Sequence, residues 1–380
     1  MIILPVPQTN PKASYLAHQE GIDDAIQRVL TSGWYILGPE VQAFEKEFAA
    51  WCGTGHTVGV ANGTDAVELA LRGLGIKSGD LIFTVSHTAV ATVAAIERTG
   101  AVPLLLDVDP ATYTIDPNRL ETAIQHRRQS CSKLRPTAIV AVHLYGHPAA
   151  MDAIMAIAGH HSLAVVEDCA QAHGARLHGQ RVGGFGHVAA FSFYPTKNLG
   201  CLGDGGAVVC NDPDLADRLR EIRQYGWRER YISTIPGLNS RLDELQAAIL
   251  RVKLPYLDTD NDRRRDIAQR YTTAAANTGL VLPWELSGAE HVYHLYVIQS
   301  LARDALARHL AIAGVTTGVH YPAPVHLQAA YSNRNLLDPA GLPVTEALAS
   351  RILSLPMFPE LSEKQINRVC EALAAWHDPA

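Results

Sequence analysis

Three short stretches hold residues whose types and spacing could do chemistry. In FSFYPTKNLGCLGDGGAVV, residues 191–209, one lysine, Lys197, stands between an aromatic-rich run and a set of glycines. An amine there is either a surface lysine in a turn or a nucleophile presented from a strand end. Desolvation or a nearby cation lowers a lysine's pKa and lets it bond a carbonyl carbon. Gly203, Gly205 and Gly206 would let backbone crowd close to such a group. In VEDCAQAHG, residues 166–174, Glu167 and Asp168 are adjacent carboxylates. Neighbours in an extended segment point to opposite faces, so one of the two turns away from any shared site. An aspartate at the mouth of a buried strand is costly unless it meets a cation. In ANGTDAVELALRG, residues 61–73, Asn62-Gly63-Thr64 precede a run whose Ala66, Val67, Ala70 and Leu71 share one helical face. Thr64 is expected to cap that helix with its hydroxyl, and the free N–H groups and dipole at a helix start favour a phosphate. Taken alone, this third pattern is an ordinary cap.

The elements that must position these stretches alternate along the chain. Strand-like HTVGVAN, LIFTVS, VPLLLDV, TAIVAVHLYG and LAVVED are separated by helical runs such as ATVAAIERTG, RLETAIQHRR and MDAIMAIAGHH. That order predicts an α/β fold with a mostly parallel sheet between helices. In open sheets of this kind ligands collect at the carboxyl ends of the strands, where all three stretches lie. After AAFSFY and GAVVCN comes a long helical region that Pro255 should interrupt. We read residues 1–255 as a large α/β domain that includes the N-terminal segment, and 256–380 as a smaller C-terminal α+β domain. A lysine for an aldehyde, a carboxylate for a pyridine nitrogen and a helix start for a phosphate together match the needs of pyridoxal 5'-phosphate.

Composition narrows the alternatives. The 380 residues are 47% hydrophobic and 18% charged, which describes a buried globular chain without a disorder signature. A net charge of −6 offers no basic face for nucleic acid. MIILPVPQTN lacks a basic leader region, and no apolar run approaches the roughly 18 residues needed to cross a bilayer, so neither a signal peptide nor a membrane anchor is expected. The cysteines (Cys52, Cys131, Cys169, Cys201, Cys210 and Cys370) show no CxxC spacing, which suits free thiols in a cytoplasmic protein. The histidines show no HExxH pattern, and no metal is expected.

The chain resembles the DegT/DnrJ/StrS sugar aminotransferases, fold-type I pyridoxal-phosphate enzymes that act on nucleotide-linked keto sugars. The resemblance runs from GWYILGPEVQAFEKEFA through GVANGTDAVELAL, EDCAQAHGA and FSFYPTKNLGCLGDGGAVV to LNSRLDELQAAILRVKL and GVHYPAPVHLQ. It implies a mostly parallel seven-stranded sheet and a homodimer with shared active sites. It implies further that Lys197 bonds the cofactor aldehyde and moves the proton between substrate carbon and cofactor carbon. Asp168 would hold the pyridine nitrogen and Gln171 the phenolic oxygen. Gly63, Thr64 and Ser192 would bind the phosphate, joined by Asn239 from a neighbouring subunit. His87 would stack its ring over the pyridine face; by position alone it reads equally as a half-buried histidine at a strand end. Tyr194, His320, Tyr321 and His326 would contact the sugar, although Pro322 and Pro324 make a plain turn an equal reading for the last three.

Within the family, C4-aminating members carry a segment like FHPVKTITTGEGG. NLGCLGDGGAVV with SHTAVAT looks instead like the C3-aminating group acting on dTDP-3-keto-6-deoxyhexoses with L-glutamate as donor, Cys201 replacing an expected alanine. The alternatives are a 4-aminotransferase on a 4-keto-6-deoxyhexose and a catalytically inactive ligand-binding regulator with the same fold. The C3-dehydratase branch replaces the lysine by histidine, and Lys197 argues against it.

Overall fold

The computed structural model describes residues 5–130, 133–332 and 334–377; Cys131 lies outside them. Its main sheet has eight strands, numbered here in chain order: β1 (His56–Val60), β2 (Asp80–Val85), β3 (Val102–Leu106), β4 (Arg135–Val142), β5 (Ala164–Asp168), β6 (Val188–Ser192), β7 (Gly206–Cys210) and β8 (Leu336–Leu337). Their spatial order is β1-β7-β6-β5-β4-β2-β3-β8. From β6 to β8 every pairing is parallel, whereas β7 runs antiparallel to both β1 and β6. The eighth strand corrects the expectation of seven. Leu336 and Leu337 pair with Leu104 and Leu105 of β3, and a two-residue strand has no periodicity of its own to reveal it.

The central strands are continuous apolar runs because both of their faces are covered. All six residues of β2 and all five of β6 and β7 are buried. On one face, Ala66 and Leu69 of helix Gly63–Gly73 and Leu219 of helix Pro213–Ile222 pack on Val58, Val140 and Val208. On the other, Leu120 and Ile124 of helix Pro117–Gln129 and Ile154 of helix Met151–His161 pack on Leu81, Phe83 and Ile139.

Pro255 sits in a single tight turn, Leu254–Tyr256, between helices Glu244–Lys253 and Leu257–Ala275. Beyond it, strands Tyr296–Gln299 and Ile352–Leu355 pair antiparallel, and a separate core gathers Ile267, Tyr271, Leu353 and Ile366. Val6 belongs to this core and bridges Val315, so the N-terminal segment, grouped by sequence with the large domain, packs on the smaller core. Ser362 and Gln365 cap the closing helix, Glu363–Ala374, with a reciprocal pair of hydrogen bonds. Among the described residues no helix is long and apolar enough to cross a membrane.

Candidate active site

The carboxyl ends of β4, β5 and β6, the turn after β1 and the start of helix Val90–Arg98 enclose a cavity of about 470 Å³. The cavity brings together Gly63, Thr64, Asp168, Gln171, Ser192, Tyr194 and Lys197. It lies at the carboxyl edge of the parallel strands, where successive loops diverge and leave a crevice.

Two of these loops carry the charges. Asp168 is the last residue of β5 and lines the cavity, while Glu167 points the other way and accepts the amides of Gly183, Phe185 and Gly186 at 2.7–2.8 Å. Asp168 Oδ2 accepts from Thr92 Oγ1 at 2.8 Å, and Thr88 Oγ1 lies 3.0 Å from the same hydroxyl. With Thr92 donating to the carboxylate, Thr88 donates to Thr92. Lys197 projects from the loop after β6. Burial pulls its ammonium down from an ordinary 10.5 to about 8, against the Asp168 carboxylate, which pulls the other way. The lysine loop is closed by Lys197 N donating to Tyr194 O and Cys201 N to Phe193 O. Cys201 fits as a small buried residue whose Sγ donates to Phe193 O at 2.9 Å; burial pushes its thiol up to about 12.

The third loop forms an anion cradle. Asn62, not Thr64, caps helix Gly63–Gly73: its Oδ1 accepts from Asp65 N at 2.8 Å. The correction has a steric basis, since Asn62 is extended and stands outside the helix, whereas Thr64 lies within the first turn. The Thr64 hydroxyl is thereby left to the cavity, along with first-turn amides that have no carbonyl partner within the helix. A Cβ on Gly63 would stand 2.5 Å from Ser192 Cβ, so only glycine lets the helix start close onto the end of β6.

Gln171 is fixed from both ends. Its Oε1 accepts Tyr145 N at 2.7 Å and its Nε2 donates to Tyr321 Oη at 2.9 Å. Burial pushes the Tyr321 hydroxyl up to about 12. With its oxygen taken by Tyr145 N and one amide proton by Tyr321, the amide has one N–H left to offer. Neither Tyr321 nor His320 lines the cavity: Tyr321 reaches it through this bond, and His320 Nδ1 pairs with Ser354 Oγ at 2.9 Å.

Two assignments change. His87 does not line the cavity: its ring is buried, Nε2 pairs with Tyr145 Oη at 2.8 Å, and Thr88 and Ala89 face the cavity in its place. His326 is also absorbed by the fold, with Nδ1 on Ser86 Oγ at 2.7 Å and Nε2 on Glu346 Oε1 at 3.2 Å. Asn239 is exposed and bridges Gln224, away from the cavity of its own chain. Sequence reasoning missed Thr88 and Thr92, whose four-residue spacing at a helix start was available as a signal, and Asp204 and Arg98, which complete the rim. His143, Glu167 and Cys169 cluster closely enough to suggest a cation site. However, Ala149 N donates to His143 Nδ1, which leaves the ring proton on Nε2 facing Glu167 rather than a free lone pair.

An amine that loses its proton near pH 8, a carboxylate, an amide that donates and a glycine-tight anion cradle fit pyridoxal 5'-phosphate. The sequence pattern of the DegT/DnrJ/EryC1/StrS aminotransferase family matches residues 17–374. The chain is 50% identical over 371 residues to the erythromycin biosynthesis sensory transduction protein EryC1 of Saccharopolyspora erythraea, covering 97% of this chain and 99% of that one. It is 48% identical over 373 residues to a dTDP-3-amino-3,4,6-trideoxy-alpha-D-glucose transaminase of Streptomyces venezuelae, covering 98% and 96%. The crystal structure of S. venezuelae DesV in complex with a ketimine intermediate superposes over 100% of both chains with a TM-score of 0.94 at 46% identity.

Proposed function

This chain belongs to the DegT/DnrJ/EryC1/StrS aminotransferase family, and from that premise we propose that it moves an amino group from L-glutamate to C3 of a dTDP-linked 3-keto-6-deoxyhexose, giving a 3-amino-3,6-dideoxyhexose. The observation that carries the chemistry is the meeting of Lys197 and Asp168 across one cavity with the Gly63–Thr64–Ser192 cradle. The dTDP-3-amino sugar named for the S. venezuelae relative supports the substrate class and the position.

Pyridoxal 5'-phosphate, when bound, supplies an aldehyde carbon for the amine and a ring that takes up the electron pair left by a departing proton. Lys197 is the residue to hold the aldehyde, Asp168 to keep the ring nitrogen protonated, Gln171 to donate to the phenolic oxygen, and Gly63, Thr64 and Ser192 to bind the phosphate. Once free, Lys197 Nζ takes a proton from the α-carbon of glutamate and later gives one to C3 of the sugar. A pKa of about 8 suits both duties, because about a tenth of the amine is already free of its proton at pH 7 and about half at pH 8, against well under a hundredth for an ordinary lysine. Tyr194, exposed at the rim, is placed to meet the sugar nucleotide as it enters.

We read the working form as a cytoplasmic homodimer. Trp34, Tyr35, Tyr231 and Ile232 are between 49% and 72% exposed in the single chain, and apolar surface of that kind favours association. Purified protein given glutamate with dTDP-3-keto or dTDP-4-keto sugar in separate reactions tests the assignment. NMR is expected to place the new amine on C3; an amine formed only at C4 overturns that position.

A further inference from the structure

The loop that carries Lys197 and the loop that carries Asp168 are joined by one buried amide that belongs to neither. Asn198, next in sequence to Lys197, donates from Nδ2 to Asn261 Oδ1 at 2.8 Å and to Val292 O at 2.9 Å. Asn261, in helix Leu257–Ala275 and 2% exposed, donates in turn from Nδ2 to His173 O at 2.8 Å. His173 lies five residues beyond Asp168 on the same loop. The carbonyl of Val292 fixes which end of Asn198 donates, and that fixes the orientation of Asn261.

The approach of Asn261 is also built into the chain. Gly174 has φ +87, and a Cβ there would lie 2.7 Å from Asn261 Nδ2. Glycine at this point of EDCAQAHGA is thus what admits the amide. On the far side of the lysine loop, Lys253 Nζ donates to Gly200 O at 2.6 Å. A Cβ on Gly200 would lie 2.6 Å from Pro195 O, so the loop is folded tightly on itself between these two anchors.

We propose that Asn261 is a positioning residue for the transamination. By holding Asn198 on one loop and the His173 carbonyl on the other, it sets the distance between the Lys197 amine and the Asp168 carboxylate. No other residue type of similar size both accepts and donates in the same plane. Aspartate would set a carboxylate oxygen against the His173 carbonyl, and leucine would leave that carbonyl and one Asn198 amide proton buried without partners.

The amine's surroundings make its protonation a gauge of this placement. The groups whose charge is coupled to that of Lys197 are Asp168, His173, His294 and His320. Burial, and after it the Lys197 charge, lowers the pKa of all three histidines. They stay neutral, and Asp168 is the charge the amine feels. A loosened loop lets water reach the amine, and its pKa then rises from about 8 toward the ordinary value.

The test uses the full-length protein carrying Asn261→Asp, Asn261→Leu or Asn198→Ser. The last withdraws the donor that reaches Asn261 and Val292 O while leaving the helix sequence unchanged, so it breaks the link even where changes in the helix prevent folding. Pulse acetylation of the cofactor-free protein across pH, with Lys197 followed by peptide mass spectrometry, reads the amine directly. The midpoint is expected to rise by about one unit or more. The holoenzyme is expected to lose about 10- to 100-fold in kcat, with KM for glutamate changed less than about threefold. A folded variant whose Lys197 midpoint stays where the parent's lies, while only its melting temperature falls, overturns the proposal. Because acetylation reads the amine without any sugar, the result stands apart from which ketone the enzyme aminates.

Discussion

At the scale of single residues the decisive question is what burying an amine does. Lys197 gives up hydration on entering the protein, and Asp168 restores only part of it. Replacing Lys197 by methionine removes the nucleophile and the proton carrier together, so activity measured by glutamate-dependent amine formation is expected to fall by about 10³-fold or more. The same change is expected to stabilise the cofactor-free protein. The sign follows from linkage. The folded-state pKa is depressed, so between about 8 and 10.5 the unfolded chain binds more protons than the folded one, and stability rises with pH across that window. Below pH 8 the full cost of the buried amine is present, of the order of 1–3 kcal/mol after allowing for partial exposure. Melting curves at pH 6.5 and pH 10 are the check: the methionine variant should melt higher than the parent at pH 6.5, and most of the gap should be gone by pH 10. A gap independent of pH would mean that the amine is not desolvated in the folded chain.

At the scale of elements the helix start and strand end that form the anion cradle depend on one missing methyl group. Gly63→Ala would force Cβ atoms to 2.5 Å and push helix Gly63–Gly73 away from β6. Overpacking of this kind costs about 1–3 kcal/mol, and because it falls on the cradle it is expected to weaken cofactor binding by about 10- to 100-fold. Fluorescence titration of the cofactor-free protein measures this. Asn62→Ala instead removes the cap and is expected to cost about 1 kcal/mol of stability in urea unfolding. The elements also divide what could be read from the sequence. Lys197 and Asp168 stood out because an amine and a carboxylate at buried strand ends are costly without a partner, whereas the Gly63 loop alone read as an ordinary cap and took its phosphate role from the family resemblance. The two readings left open for His87 and His326 could not be separated in the sequence, because a histidine's direction depends on what packs beside it, here Tyr145, Ser86 and Glu346. Thr92 and Asn261 are ordinary polar residues within helices, and only the approach of another loop gives them meaning. The alternation of strands and helices gave the sheet away, but β8 exists only because β3 offers it an edge.

At the scale of the whole molecule, one chain holds most of a site and leaves Asn239 on its outside. Asn239 follows the strand pair Trp227–Glu229 and Ile232–Ser233, where Trp227 meets Tyr225 at a tilt and Tyr231 edge-on, with Tyr231 72% exposed. An aromatic ridge of this sort gains by meeting a second copy of the chain. If a neighbouring subunit's cavity is what Asn239 completes, the two chains share each site, and the sharing can be separated genetically. On that reading, Lys197→Ala chains alone and Asn239→Ala chains alone are each expected to form impaired dimers. In a mixed dimer, the site built on the Asn239→Ala chain keeps its own Lys197 and receives an intact Asn239 from its partner. That site is whole, while the other carries both defects. Mixing the two variants after mild denaturation and refolding is therefore expected to restore activity well above the average of the separate preparations, toward about a quarter of the parent's, since random pairing makes half of the dimers mixed and each holds one good site. If Asn239 served its own chain, every site in the mixed dimer would carry one defect, and mixing would restore nothing.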